Sequence, residues 1–117
     1  MIENIKHFKC DNTEYPLAFT MNVIEKIQDK YGSYEKWGDM TDGKGQEPNI
    51  GALKFGITEM INEGIDIENE NLEEKRNFLT AKQVGRIITE LGMKRLTDKV
   101  QETIIESTKN DEEEKNA

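Results

Sequence analysis

The chain has 117 residues, with 34% hydrophobic and 34% charged, which is enough for one small core and one domain. No apolar run approaches the ~20 residues of a membrane span. The start, Met1-Ile2-Glu3-Asn4-Ile5-Lys6, has no apolar stretch or small-residue cleavage site, so export and membrane insertion are excluded as first readings.

Residues 4–10 alternate as a strand with one apolar face, and Asp11-Asn12-Thr13 follows as a turn-rich cluster. Glu14 to Phe19 reads as a second strand, at an edge or broken at Pro16, which lacks a ladder N–H. The resulting hairpin needs a helical layer to be stable. From Thr20, a predicted N-cap, the period changes. Met21, Ile24, Ile27 and Tyr31 form a helical stripe that Gly32 closes. Ser33 caps a short segment, Tyr34 to Met40, which carries the only tryptophan, Trp37. A flexible loop, Thr41 to Pro48, leads to Asn49. That residue caps a helix with Ile50, Leu53, Ile57, Met60 and Ile61 on one stripe and Gly64 as its stop.

Residues 65–79 show no sustained period and read as a mobile connector. Thr80-Ala81-Lys82-Gln83 fits a capping box. The helix it opens carries Val84, Ile87, Ile88 and Leu91 and ends near Gly92. The last helix has Met93, Leu96, Val100 and Ile104 on its stripe. The predicted fold class is α+β, a small N-terminal β-hairpin packed on a bundle of about four helices. Residues 1–108 form a single domain and residues 109–117 an acidic solvated tail.

There are 24 acidic and 16 basic residues, a net charge of −8. Residues 62–77 hold six acids and two bases, and residues 109–117 four acids and two bases, so the rest is near neutral. Net negative charge repels phosphate backbones and disfavours nucleic acid as a general partner. One cysteine, Cys10, cannot form an internal disulfide, which suits a reducing cytoplasm. Cys10 reads as a small buried hydrophobe, and His7 as a strand histidine facing solvent or an edge. One His and one Cys supply no zinc set. Aligning Gly43 with the turn glycine of a calcium loop puts Gly38 and Met40 at ligand positions and Asn49 at the twelfth, so that motif fails. Gly43-Lys44-Gly45 lacks the spacing of a phosphate loop. Nothing makes a positive case for an enzyme, a cofactor or a metal.

Two binding readings remain. Residues 80–109 hold two helices around a glycine turn, with six bases to four acids, like a helix-turn-helix with Lys94, Arg95 and Lys99 as DNA contacts. The commoner explanation of such a pair is two core helices. Phe55 and Ile105 depart from their stripes, Phe55 by ~140° from Ile50. With Trp37 they are candidate anchors for a partner segment in an apolar groove.

The order of features resembles the tail assembly chaperones of long-tailed bacteriophages and prophages. The resemblance runs through the hairpin and Tyr15-Pro16-Leu17-Ala18-Phe19-Thr20-Met21-Asn22, then Val23 to Ser33 and the Trp37 segment. It continues in Asn49 to Ile57, in Asn62-Glu63-Gly64 and in Leu79 to Arg86, covering roughly residues 4–106. It implies a non-enzymatic protein of the host cytoplasm that binds the tape measure protein and tail tube subunits during assembly. A second copy of the chain is a further expected partner, nucleic acid and membrane are not, and no catalytic residues carry over. Such families often add a longer product by a −1 ribosomal slip. Thr108-Lys109-Asn110 and Glu114-Lys115-Asn116 can both be encoded by a slippery run.

Overall fold

The computed structural model describes residues 5–116, with side chains for residues 5–109. Strand β1 (Lys6–Cys10) pairs antiparallel with β2 (Thr13–Leu17), Lys6 opposite Leu17 and Cys10 opposite Thr13. Residue 4, predicted to start the first strand, lies outside the described residues. Asp11 and Asn12 have φ of 50° and 69°. Two consecutive left-handed residues make the tight turn that matches strand twist, and Asp and Asn tolerate that conformation better than most residues. The second strand therefore begins at Thr13 and ends at Leu17, sooner than the predicted Phe19. Phe8 and Cys10 face the core, as the alternation predicts. With two strands among the described residues both are edges, so Pro16, opposite His7, interrupts no central ladder.

Five helices follow, so the count exceeds the predicted four. The Trp37 segment is a true two-turn helix, because the Ser33 hydroxyl accepts the Lys36 N–H at 3.1 Å and caps it. In α1 (Met21–Tyr31) Val23 and Ile27 are buried, while Met21 is 68% exposed. Met21 and Val23 sit ~200° apart around the helix. Only one can face inward, and the predicted stripe chose the wrong one. Thr20 holds the N-cap position, but its hydroxyl donates to Glu63 rather than capping α1. Helix α2 spans Tyr34–Thr41.

Helix α3 (Ile50–Asn69) is the central element, packed against β2, α1, α2 and the later helix α4 (Ala81–Leu91). Asn49 caps it, Oδ1 accepting the Ala52 N–H at 2.9 Å. Ile50, placed on the buried stripe by periodicity, is exposed in the first turn. Gly64 does not stop the helix. It is buried mid-helix against Pro16, where a Cβ would stand 2.7 Å from Pro16 Cβ. This glycine lets β2 approach the helix, and the Ala18 N–H donates to the Met60 carbonyl at 3.1 Å beside it.

The segment after Gly64 is thus no mobile connector. Its first five residues are helical, and the rest is strapped to α3. Asn62 pairs with the backbone of Leu79, Nδ2 to O at 2.9 Å and N to Oδ1 at 2.8 Å. Asn69 pairs identically with Arg76, at 3.0 and 2.9 Å. Side-chain amides offer a donor and an acceptor side by side, as a peptide does. Seven helical residues advance ~10.5 Å, which three extended residues also cover. The returning chain therefore runs in register with the two asparagines.

Thr80 and Gln83 form the predicted capping box: the Gln83 N–H donates to Thr80 Oγ1 at 3.1 Å and the Thr80 N–H to Gln83 Oε1 at 2.8 Å. Helix α4 (Ala81–Leu91) ends at Gly92, φ 100°, and α5 (Met93–Asn116) begins at once. Among the described side chains of α5, Leu96, Val100 and Thr103 are buried, whereas Met93 is exposed and Ile104 only partly covered. Thr103 tolerates burial because its hydroxyl donates to the Lys99 carbonyl at 2.9 Å. Helix α5 continues past residue 108 into the segment predicted as the acidic tail. The side chains of residues 110–117, expected to be solvated, lie outside the described residues.

Candidate functional site

Trp37 and Ile105, two of the three predicted anchors, line one groove, of about 300 Å³, between α2 and α5. Its floor is Trp37, Leu53 and Val100, and its walls include Tyr34, Gly38 and Ile104. Helix α2 is held by α1 and α3, whereas α5 is held by α4 and β1. The two walls thus belong to different parts of the bundle, and the gap between them is left unfilled.

The roles within the groove differ from those predicted. Trp37 is only 3% exposed, so it is a core residue and not a projecting anchor. Its indole N–H donates to the Ala52 carbonyl at 2.7 Å, which fixes the ring against α3. Thr41 reinforces the same turn, its hydroxyl donating to the Trp37 carbonyl at 2.8 Å. Ile105 is 62% exposed at the rim. Its side chain leaves the Leu96–Val100–Thr103 face of α5, as the broken stripe indicated.

Phe55 is not in this groove. It is partly buried, edge-to-face with Tyr31 at 5.7 Å and 74°, and the Lys30 ammonium stands 4.5 Å from its ring. The prediction of a free aromatic opposite the core face fails because α1 supplies a second neighbour to α3 on that side. Gly38, considered in the sequence only as a failed calcium-loop position, lines the groove with no heavy atom near where its Cβ would be. A glycine inside a short helix, without a turn to make, was the available signal.

The groove's rim is acidic. Glu35, Asp39 and Asp42 stand around it with one cation, Lys44. Asp42 also accepts the Lys44 N–H at 2.8 Å, a local turn held by its own carboxylate. A second cleft, at the start of α1, joins Met21 and Ile67 to Glu63, Asp66 and Glu70. Glu63 there already accepts from Thr20 and, at 3.1 Å, from Asn22.

The α5 bases predicted as DNA contacts sit among acids. Lys94 pairs with Asp98 at 3.2 Å and Lys99 approaches Glu102 at 3.9 Å, while Arg95 is exposed. Lys6 of β1 reaches Glu106 at 3.0 Å and Glu102 at 3.6 Å, and its ammonium is held above its ordinary pKa mainly by the hydrogen bond to Glu106. Carboxylates along a helix repel the phosphates a recognition helix must approach.

His7 is exposed and pairs with Glu68, Nε2 to Oε2 at 2.7 Å. Cys10 is buried, and burial pushes its thiol pKa up, away from the reactive thiolate. Among the described residues no three His, Cys, Asp or Glu side chains converge as a metal set, and no helix is long and apolar enough to cross a membrane. Comparison with protein-family models, with curated proteins and with solved structures gave no match.

Proposed function

We propose that the chain is a non-enzymatic tail assembly chaperone of a long-tailed bacteriophage or prophage, working in the host cytoplasm. It binds the tape measure protein, and tail tube subunits with it, until the tube encloses the tape measure. The observation that carries this reading is the open groove between α2 and α5, apolar on its floor and acidic at its rim. A tape measure is a long helical chain whose apolar stripes would associate with one another before the tube forms. A groove with Trp37 and Leu53 beneath and Ile105 at its edge covers such a stripe by helix-in-groove docking. The net charge of −8 keeps coated complexes apart. The resemblance across residues 4–106 supplies the identity of the partner, and the groove supplies a physical means of holding it.

Affinity co-purification after co-expression with the tape measure and tail tube proteins of the same genome tests this. Retention of tape measure fragments is expected, with no retention of the chaperone on heparin at low salt. Binding to heparin or DNA together with no tape measure capture would favour the helix-turn-helix reading through Lys94, Arg95 and Lys99.

A further inference from the structure

Gly38 lies inside α2, flanked by helical residues on both sides. A glycine there weakens the helix relative to alanine. Elsewhere in this chain buried glycines have a local reason. A Cβ on Gly56 would strike the Trp37 ring, and one on Gly64 would strike Pro16. At Gly38 an added Cβ would meet nothing within 4 Å, and φ is not positive. Packing and backbone conformation therefore do not require glycine at this position. A side chain at residue 38 would instead enter the α2–α5 groove, whose wall Gly38 forms.

We infer that the space above Gly38 receives a bulky aliphatic side chain from a helical partner segment, with Lys or Arg flanking it in that segment. The inference rests on the chaperone reading insofar as it takes this groove as the partner site. Four observations specify the occupant. The floor of Trp37, Leu53 and Val100 is apolar, and exposed Ile105 extends it outward, so the anchor is aliphatic. The volume, about 300 Å³, is at the small end of binding clefts and suits one or two side chains rather than a continuous sheet. Glu35, Asp39 and Asp42 form no ion pair with any described residue, and Lys44 alone opposes them, so flanking cations complement the rim. Among the described residues no strand borders the groove. Main-chain pairing is unavailable, and a helix, which satisfies its own backbone, is the form of chain that fits.

The single tryptophan makes the site self-reporting, because Trp37 forms its floor. The probes are two synthetic helical peptides with the same leucine stripe, one with lysines beside it and one with glutamates. Trp37 fluorescence is followed during titration at low salt and at 0.5 M salt. The Leu/Lys peptide should bind at least about tenfold more tightly than the Leu/Glu peptide, an advantage that salt reduces. Gly38→Leu should fold, since its Cβ meets open space, and should weaken Leu/Lys binding about tenfold or more by filling the groove itself. Ile50→Ser, exposed and outside the groove, should bind as the parent does. Equal affinity for the two peptides, or undiminished binding by Gly38→Leu, overturns the inference. A tape measure fragment captured equally by the parent and Gly38→Leu would also overturn it while leaving the chaperone reading standing. Failure of the parent to capture any tape measure fragment would count against that reading itself, whatever the peptides do.

Discussion

The Trp37 indole rests directly on Gly56: a Cβ at residue 56 would lie 2.2 Å from Trp37 Cζ2 and 2.9 Å from Nε1. The ring can therefore lie on α3 and donate to the Ala52 carbonyl only because residue 56 has no side chain. This contact sets the height of the groove floor. The same helix–helix contact requires a bare residue on one side, whereas Gly38 leaves empty space on the other.

Alanine at these two glycines should therefore have opposite effects. Gly56→Ala overpacks the core and is expected to lose about 1–3 kcal/mol. Gly38→Ala removes only the conformational cost of glycine and should gain about 0.5–1 kcal/mol. Urea unfolding of both variants against the parent reads the signs. Destabilisation by Gly38→Ala would mean that the position has a packing role in the free protein.

The two asparagine straps give a second expectation. Asn62→Ala removes both bonds to Leu79, and Asn69→Ala removes both bonds to Arg76. Each should cost about 1–2 kcal/mol at these partly covered sites. Limited proteolysis should then cut within residues 70–79 much faster than in the parent. Unchanged cleavage would show that the segment is held by other contacts.

Phe55 is tied to Tyr31 and Lys30, so Phe55→Ser should behave as a packing mutation. A loss of about 1–3 kcal/mol in thermal or urea unfolding is expected, well above the cost of a free surface change. Capture of tape measure by the folded fraction should persist, because Phe55 lies outside the α2–α5 groove. A stable variant that no longer captures tape measure would move the binding surface to the α1–α3 side.

The thiol of Cys10 provides a pH test. Burial first, then the charges of Asp11 and Glu90, raise its pKa, so folding favours the protonated thiol. That contribution is complete below the unfolded thiol's pKa, about 8.5, and is lost as pH rises through the higher folded value. Alkylation at pH 8 should be at least about tenfold slower in the native chain than in urea. The urea midpoint should fall more between pH 8 and 10 than it does in Cys10→Ala. Fast native alkylation would show that β1 exposes the sulfur.

Local chemistry was the most legible part of the chain. The Ser33, Asn49 and Thr80 caps, the Gln83 box partner and the Gly32 closure were all readable, because each depends on residues within a few positions. Long-range partners were not. Gly64 looks like a stop until Pro16 is seen against it, and Asn62 and Asn69 look like connector polarity until Leu79 and Arg76 return beside them. For the site, the broken stripe of α5 set Ile105 apart, whereas its sharing a groove with Trp37 depends on how α2 and α5 pack. Phe55 misled because periodicity on α3 alone cannot show that Tyr31 of α1 covers it. The groove also depended on Gly38, whose missing side chain is informative only once α5 is in position.

The most direct test of the account is the solubility of a tape measure fragment co-expressed with this chain or with Ile105→Gln. Ile105 is 62% exposed at the groove rim, and glutamine keeps α5 helical, so the variant should fold with nearly the parent's stability. The parent chain should keep the fragment soluble and co-purify with it, and Ile105→Gln, equally folded, should lose most of that yield. Equal yields with the parent and the folded variant, or an insoluble fragment with both, would contradict it.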